Sequence, residues 1–330
     1  MTIIPIIDID RDPAAVGHEI DETLRSVGFF QISGHGVPAD VADAAWEAAR
    51  AFFDLPLDEK LTVERQPGDL YGYFPMLSES LARSVEGTGV AAPGDLKESL
   101  NIAPITRPTH PMADETEAAL FATNAWPAAL PGLRPALEAY FTEMVLLSER
   151  LMSLFALGLG LPPEFFADKI DVGASALRLL DYPPGARLRA RPASAAPSQP
   201  GQLRAGAHTD YGTLTILRQE LGRSGLEVFD ETSGEWLGVP AIEDAYVINI
   251  GDLMARWTND RWMSTLHRVT DPDAGADVSQ RRQSMPFFHN ANYSQLVACL
   301  PTCIGDGAKY EPVLAGPHLA GKTMRSAVTM

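Results

Sequence analysis

Apolar positions along the chain recur first at helical spacing and later at strand spacing. Ile3 to Ile9 is a nearly continuous apolar run and predicts a strand. Asp12-Pro13 then supplies a helix N-cap and a first helical residue, and Val16, Ile20 and Leu24 form one buried stripe. Gly28-Phe29-Phe30-Gln31-Ile32 predicts a second strand, closed by Gly34-His35-Gly36, in which His35 is a structural turn residue. Pro38 opens another helix with Val41, Ala45, Trp46, Ala49 and Phe52 on its apolar face. Residues 65–95 are rich in Gly and Pro and predict a long loop anchored by aromatic side chains; a loop of that length is usually functional. The longest helical pattern runs from Leu133 to Leu159 and stops at Gly158, Gly160 and Pro162-Pro163.

From residue 173 the texture changes to short β-rich runs. These are Ala176–Tyr182, Thr213–Leu217, Leu226–Phe229, Glu235–Val239, Ala245–Ile250, Thr265–Thr270 and Gln283–Phe288, separated by turn residues. Such spacing predicts a barrel or jelly roll. Residues 183–206 read as a loop, and no internal repeat is present.

The candidate chemistry sits in the β-rich half. In Ala207-His208-Thr209-Asp210 an imidazole and a carboxylate are two residues apart, which puts them on one face if the segment is extended. Among the seven histidines, His267 lies in another strand-like segment, Thr265-Leu266-His267-Arg268-Val269. Two histidines and one carboxylate on one side of a metal leave its other positions open, the arrangement used by non-haem Fe(II) oxygenases. Further on, Arg282 and Ser284 share a strand face and could hold a carboxylate, since a buried guanidinium is costly until an anion meets it. Arg281 is expected to face solvent, and Asp252 to be a turn residue.

Charge and composition narrow the classes. A net charge of -17 argues against nucleic acid or an anionic membrane as partner. No apolar run approaches a membrane span, and the N-terminus lacks the pattern of a signal peptide. The two cysteines, Cys299 and Cys303, do not make a disulfide framework. A reducing cytoplasm is the expected compartment.

The ordered set His208-x-Asp210, Asn249-Ile250-Gly251-Asp252, His267-Arg268-Val269 and Arg282-x-Ser284 with Pro286-Phe287-Phe288 resembles the isopenicillin N synthase-like family of Fe(II)- and 2-oxoglutarate-dependent oxygenases. The likeness extends to Ile6-Ile7-Asp8, Gly28-Phe29-Phe30-Gln31, Gly34-His35-Gly36 and Asp95-Leu96-Lys97-Glu98-Ser99. It implies an α+β protein, mostly β with flanking helices, around a double-stranded β-helix (jelly roll) core. It also implies three regions: residues 1–125 as a mixed α/β region of the non-haem dioxygenase type, 126–172 as a long support helix, and 173–330 as the catalytic core with a C-terminal tail. His208, Asp210 and His267 would be iron ligands, and Arg282 and Ser284 would hold 2-oxoglutarate. Tyr182 matches a family tyrosine near the co-substrate or substrate carboxylate, although Leu180-Asp181-Tyr182-Pro183 stands where many plant members carry Asn-Tyr-Tyr-Pro. The implied reaction is oxidation of a small molecule by dioxygen (hydroxylation, desaturation or ring formation) with release of succinate and CO2. Asp210 argues against halogenation, which needs that ligand position free.

Three other readings remain open on sequence. An isopenicillin N synthase-like oxidase would use the same iron ligands without 2-oxoglutarate. A zinc hydrolase could use two histidines and a carboxylate, but no His-Glu-x-x-His helix is present. A binding protein could keep the barrel without the chemistry. Residues 65–95, residues 183–206 and the tail from Lys309 are expected to roof the pocket. Candidate substrate contacts are Tyr71, Tyr73, Phe74, Arg178, Trp257 and Phe288, with Arg178 placed to meet an anionic substrate.

Overall fold

The structure is a computed structural model that describes residues 4–84, 94–183, 203–223, 225–270 and 281–326. In chain order the strands are β1 (Ile6–Asp8), β2 (Phe29–Ser33), β3 (Gly72–Phe74), β4 (Glu98–Ile102), β5 (Ala176–Tyr182), β6 (Ala205–His208) and β7 (Leu214–Gln219). There follow β8 (Leu226–Asp230), β9 (Glu235–Gly238), β10 (Tyr246–Ile250), β11 (His267–Val269), β12 (Arg282–His289), β13 (Leu296–Val297) and β14 (Val313–Leu314). A large sheet has the order β1-β2-β10-β7-β12-β5-β4-β3, and a smaller one the order β6-β11-β8-β9. Every pairing in the two sheets is antiparallel except β1 with β2. The protein is therefore a mixed α+β fold built on large antiparallel sheets.

The large sheet has two different faces because its side chains alternate. Leu177, Leu179, Ile216, Ile248, Met285 and Phe287 point into a core shared with the helices. There the helix Leu133–Gly158 buries Leu137, Tyr140, Phe141, Met144, Leu147, Leu151 and Phe155, and Phe141 meets Phe287 edge-to-face at 5.0 Å. The helix Pro13–Ser26 is capped as its sequence predicts, with Asp12 accepting from Ala15 N–H at 3.0 Å. The opposite face, with Phe29, Leu180, Tyr182 and Val247, packs toward Ala205, Leu226, Val228 and Val269 of the small sheet.

The stretch 65–95 differs from the expected loop. Its described part carries β3 and a short 3₁₀ turn, Leu81–Ser84, and β3 pairs with β4 along Gly72–Phe74. The open edge of β4 gives that aromatic segment a ladder partner, which overrides its Gly-rich surroundings. Residues 85–93 and 184–202, parts of both expected roofing loops, lie outside the described residues. The C-terminal helix Ala315–Ser326 does cover the cavity described below, through Leu319 and Thr323.

Candidate metal centre and its cavity

β6 ends at His208, and Asp210 lies beyond it in the turn that carries the chain over to β7 in the large sheet. The two residues therefore do not share a continuous strand, contrary to the simplest expectation. They still converge, because the turn is pinned: Asp252 N–H donates to the Asp210 carbonyl at 2.8 Å and Gly251 N–H to Thr213 O at 3.2 Å. Glycine is needed for that approach, since a Cβ on Gly251 would lie 2.5 Å from Gly212 O. β11 pairs antiparallel with β6 so that His267 stands directly opposite His208.

The result is a buried cluster in which one ligand atom from each of His208, Asp210 and His267 lies within 4.8 Å of the others. Asp210 Oδ1 is 4.0 Å from His208 Nε2 and 3.7 Å from His267 Nε2. Both imidazoles are oriented from behind, with Nδ1 of His208 against Gly206 O at 2.7 Å and Nδ1 of His267 against Thr265 O at 3.1 Å. With the proton on Nδ1, each Nε2 presents a lone pair to a metal. Asp210 Oδ2 accepts from Asn249 Nδ2 at 2.7 Å and Thr215 Oγ1 at 2.6 Å, so Oδ1 is turned to the same point.

Electrostatics keep His208 and Asp210 in the ligating form. Burial, aided by the nearby His267, lowers the His208 pKa to about 4, so the ring is neutral at pH 7. Burial pushes the Asp210 carboxyl up, but His267, His208, Asn249 and Thr215 outweigh it and hold the carboxyl below its usual range. Two imidazoles and one carboxylate on one side of a point suit Fe(II) with open positions.

This cluster opens into a cavity of about 300 Å³. Along β5 the lining residues Arg178, Leu180 and Tyr182 alternate, as do Arg282, Ser284, Pro286 and Phe288 along β12. Arg282 pairs in register with Tyr182, and its guanidinium lies 4.9 Å from that ring. It is 1% exposed, yet among the described residues it has no carboxylate partner. Among the described residues its hydrogen bonds to Ser284 Oγ at 3.5 Å and Gln219 Oε1 at 3.3 Å are long ones, and its Nε has no partner. Burial lowers its pKa. A buried cation this poorly met fits an incoming carboxylate.

Four of the six candidate substrate contacts line the cavity: Tyr71, Phe74, Arg178 and Phe288. Tyr73 and Trp257 do not. Tyr73 points to the other face of β3, where its hydroxyl donates to Glu98, and Trp257 packs edge-to-face on Phe166 at 5.1 Å in the core. Arg178 lies in the wall, but its charge is already met by Glu79. Arg281 does not face solvent; it bridges Asp181 and Asp54 beneath the helix Ala39–Asp54. Sequence reasoning missed Thr215, Gln219 and Glu79, and gave Asn249 no role. Only Thr215 carried a local signal, a hydroxyl within the β-branched run that follows Asp210.

The fold and this centre define a class: the chain belongs to the 2-oxoglutarate–Fe(II) oxygenases. Residues 174–291 match the 2OG-Fe(II) oxygenase superfamily, and residues 4–129 match the N-terminal region described as non-haem dioxygenase in morphine synthesis. It is a non-haem Fe(II)- and 2-oxoglutarate-dependent oxygenase. Among its relatives, validamycin A dioxygenase of Streptomyces hygroscopicus subsp. limoneus is 33% identical over 98% of this chain and 86% of its own. The 2-oxoglutarate-Fe(II) type oxidoreductase hxnY of Emericella nidulans is 31% identical over 98% of this chain and 90% of its own. The crystal structure of a full-length Neurospora crassa protein in complex with alpha-KG and thymine superposes with a TM-score of 0.80 at 30% identity, covering 97% of this chain and 96% of that one. Among the described residues, no helix is long and apolar enough to cross a membrane.

Proposed function

We propose that His208, Asp210 and His267 hold Fe(II), that Arg282, Ser284 and Tyr182 hold the distal carboxylate of 2-oxoglutarate, and that a small organic substrate fills the rest of the cavity. One observation carries this reading: the metal-ligating cluster and a buried arginine with no carboxylate partner among the described residues open into the same cavity. Relatives that act on validamycin A or bind thymine support a small molecule as substrate.

Bound iron, 2-oxoglutarate and dioxygen supply an oxidative decarboxylation to succinate and CO2, coupled to oxidation of a substrate C–H bond. The chain's own residues do the rest. Gly206 O and Thr265 O hold the Nδ1 protons of the two histidines, so their Nε2 atoms stay available. Asn249 and Thr215 keep one carboxylate oxygen of Asp210 aimed at the metal point. Gln219 and Ser284 steady the Arg282 fork, which orients the co-substrate from its far end. Phe29, Leu226 and Val269 wall this end and exclude water, which strengthens the charge interactions inside.

We also infer that the two sheets form a double-stranded β-helix of the isopenicillin N synthase-like type, on the order of the motifs from His208 to Phe288. The regions 1–125, 126–172 and 173–330 then act as N-terminal region, support helix and catalytic core. Two free thiols, Cys299 and Cys303, fit a cytoplasmic enzyme. The substrate's own C–H geometry decides between hydroxylation, desaturation and ring formation.

Oxygen uptake and succinate formation by protein reconstituted with Fe(II), with and without 2-oxoglutarate, test the reading. Fe(II)-dependent succinate is expected even without a primary substrate, as slow uncoupled turnover. Oxygen uptake that proceeds without 2-oxoglutarate would place the protein with the oxidases that dispense with it.

A further inference from the structure

The wall of the cavity contains a cluster of buried charges. Arg178 of β5 donates through Nη2 to Glu79 and, at 3.1 Å, to Ser99 Oγ. Lys97 lies 3.5 Å from Glu79 and 2.8 Å from Asp95. Asp95 in turn accepts from Leu81 N–H and Gly206 N–H, both at 3.1 Å, which ties the cluster to the backbone of the strand that carries His208. Glu79, Asp95 and Lys97 are buried, and Glu79, Lys97 and Arg178 line the cavity. Arg178 and Lys97 are matched one for one by Glu79 and Asp95, so the cluster is neutral and closed.

A substrate carboxylate entering here would meet Glu79 before it gained a free cation. Like charges in a buried site repel strongly, and displacing Glu79 from Arg178 would leave a buried carboxylate with less than full pairing. Hydrogen-bonding capacity without charge is nonetheless present. Asn101, opposite Arg178 in the β4–β5 ladder, is half-buried and lines the cavity, and among the described residues its Oδ1 has no hydrogen-bond partner. The surrounding surface is apolar, from Leu70, Phe74, Leu120 and Phe288.

We propose that Glu79 is the specificity-determining residue of this enzyme: by neutralising Arg178 it makes the cavity select an uncharged substrate, with an apolar body and an amide-like polar edge, over a carboxylate. This rests on the reading of the cavity as the substrate site of a 2-oxoglutarate oxygenase. It replaces the expectation that Arg178 meets an anion, because the protein supplies that anion itself.

Phenylacetamide and phenylacetate, an amide and an acid on one carbon frame, are suitable probes. Each is titrated calorimetrically into native protein carrying Fe(II) and 2-oxoglutarate without oxygen. The amide is expected to bind at least about ten-fold more tightly. Glu79→Gln is expected to shift that ratio toward the acid by about ten-fold or more, while Glu79→Asp keeps the native order. Tighter native binding of the acid, binding of neither probe, or an unchanged ratio in folded Glu79→Gln would overturn the proposal. The native comparison stands even if Glu79→Gln does not fold. Uncoupled succinate formation by the native protein separates the two layers: its absence removes the oxygenase reading, while its presence with a native preference for the acid removes only the role of Glu79.

Discussion

Arg281 and Arg282 are neighbours in sequence and opposites in circumstance. Arg281 points to the helix side of the large sheet, where it meets Asp181 and, at 2.7 Å, Asp54. Nearby on that side Lys60 holds Glu98 at 2.6 Å, and Tyr73 donates to the same carboxylate. Arg282 points into the cavity and meets no carboxylate of the described chain. The same pleat thus carries one arginine met by two carboxylates and another that, among the described residues, meets none. Buried charge that the protein completes belongs to the fold; buried charge that it leaves incomplete belongs to a ligand.

The sharpest break in that contrast is at the metal cluster. His267→Ala removes one of the three proposed iron ligands and should abolish both Fe(II) retention and succinate formation, read by iron content after gel filtration and by coupled assay. Full turnover in that variant would remove the cluster from the chemistry. Next in size is Arg282→Met, expected to weaken 2-oxoglutarate binding by about two to three orders of magnitude because the co-substrate carboxylate loses its buried partner. The same variant should melt no lower than the native protein, since a poorly met buried cation is gone.

Arg281→Met should do the reverse. It strands Asp181 and should cost about 3–5 kcal/mol of stability in denaturant titration, with 2-oxoglutarate affinity retained. Its pH dependence has a definite sign. Burial raises the Asp181 pKa to about 6 in the native protein; Arg281 partly offsets that, and Glu98 adds to it. The folded state therefore holds the proton more tightly than the unfolded chain. Stability from this group falls as pH rises from the ordinary carboxylate range through about 6 and is level above it. Without Arg281 the fall should be larger and extend to higher pH. The smallest effect expected is for Tyr73→Phe, which removes one hydrogen bond from Glu98 while Lys60 remains. A loss of about 1 kcal/mol with unchanged co-substrate affinity would place Tyr73 with the fold.

Periodicity alone was enough for the helix Leu133–Gly158 and for β5, because long repeats at 3.6 or 2 residues leave few alternatives. The convergence of His208, Asp210 and His267 was legible for a different reason, their chemistry and order, even though Asp210 sits past the end of β6. What stayed hidden is what depends on register. Whether Tyr73 or Phe74 faces the cavity is decided by the pairing of β3 with β4, and neither strand is periodic enough to reveal it. The alternation of Arg281 and Arg282 was readable, but the helix that covers Arg281 comes from residues 39–54, far away in sequence. Glu79 escaped for the same reason: its partner Arg178 lies on a strand across the cavity wall.

The most direct measurement is a calorimetric titration of 2-oxoglutarate into Fe(II)-loaded Arg281→Met and Arg282→Met, side by side without oxygen. Affinity retained by the first and lost by the second is the predicted result. Equal losses, or a loss confined to Arg281→Met, would contradict the assignment of Arg282 to the co-substrate.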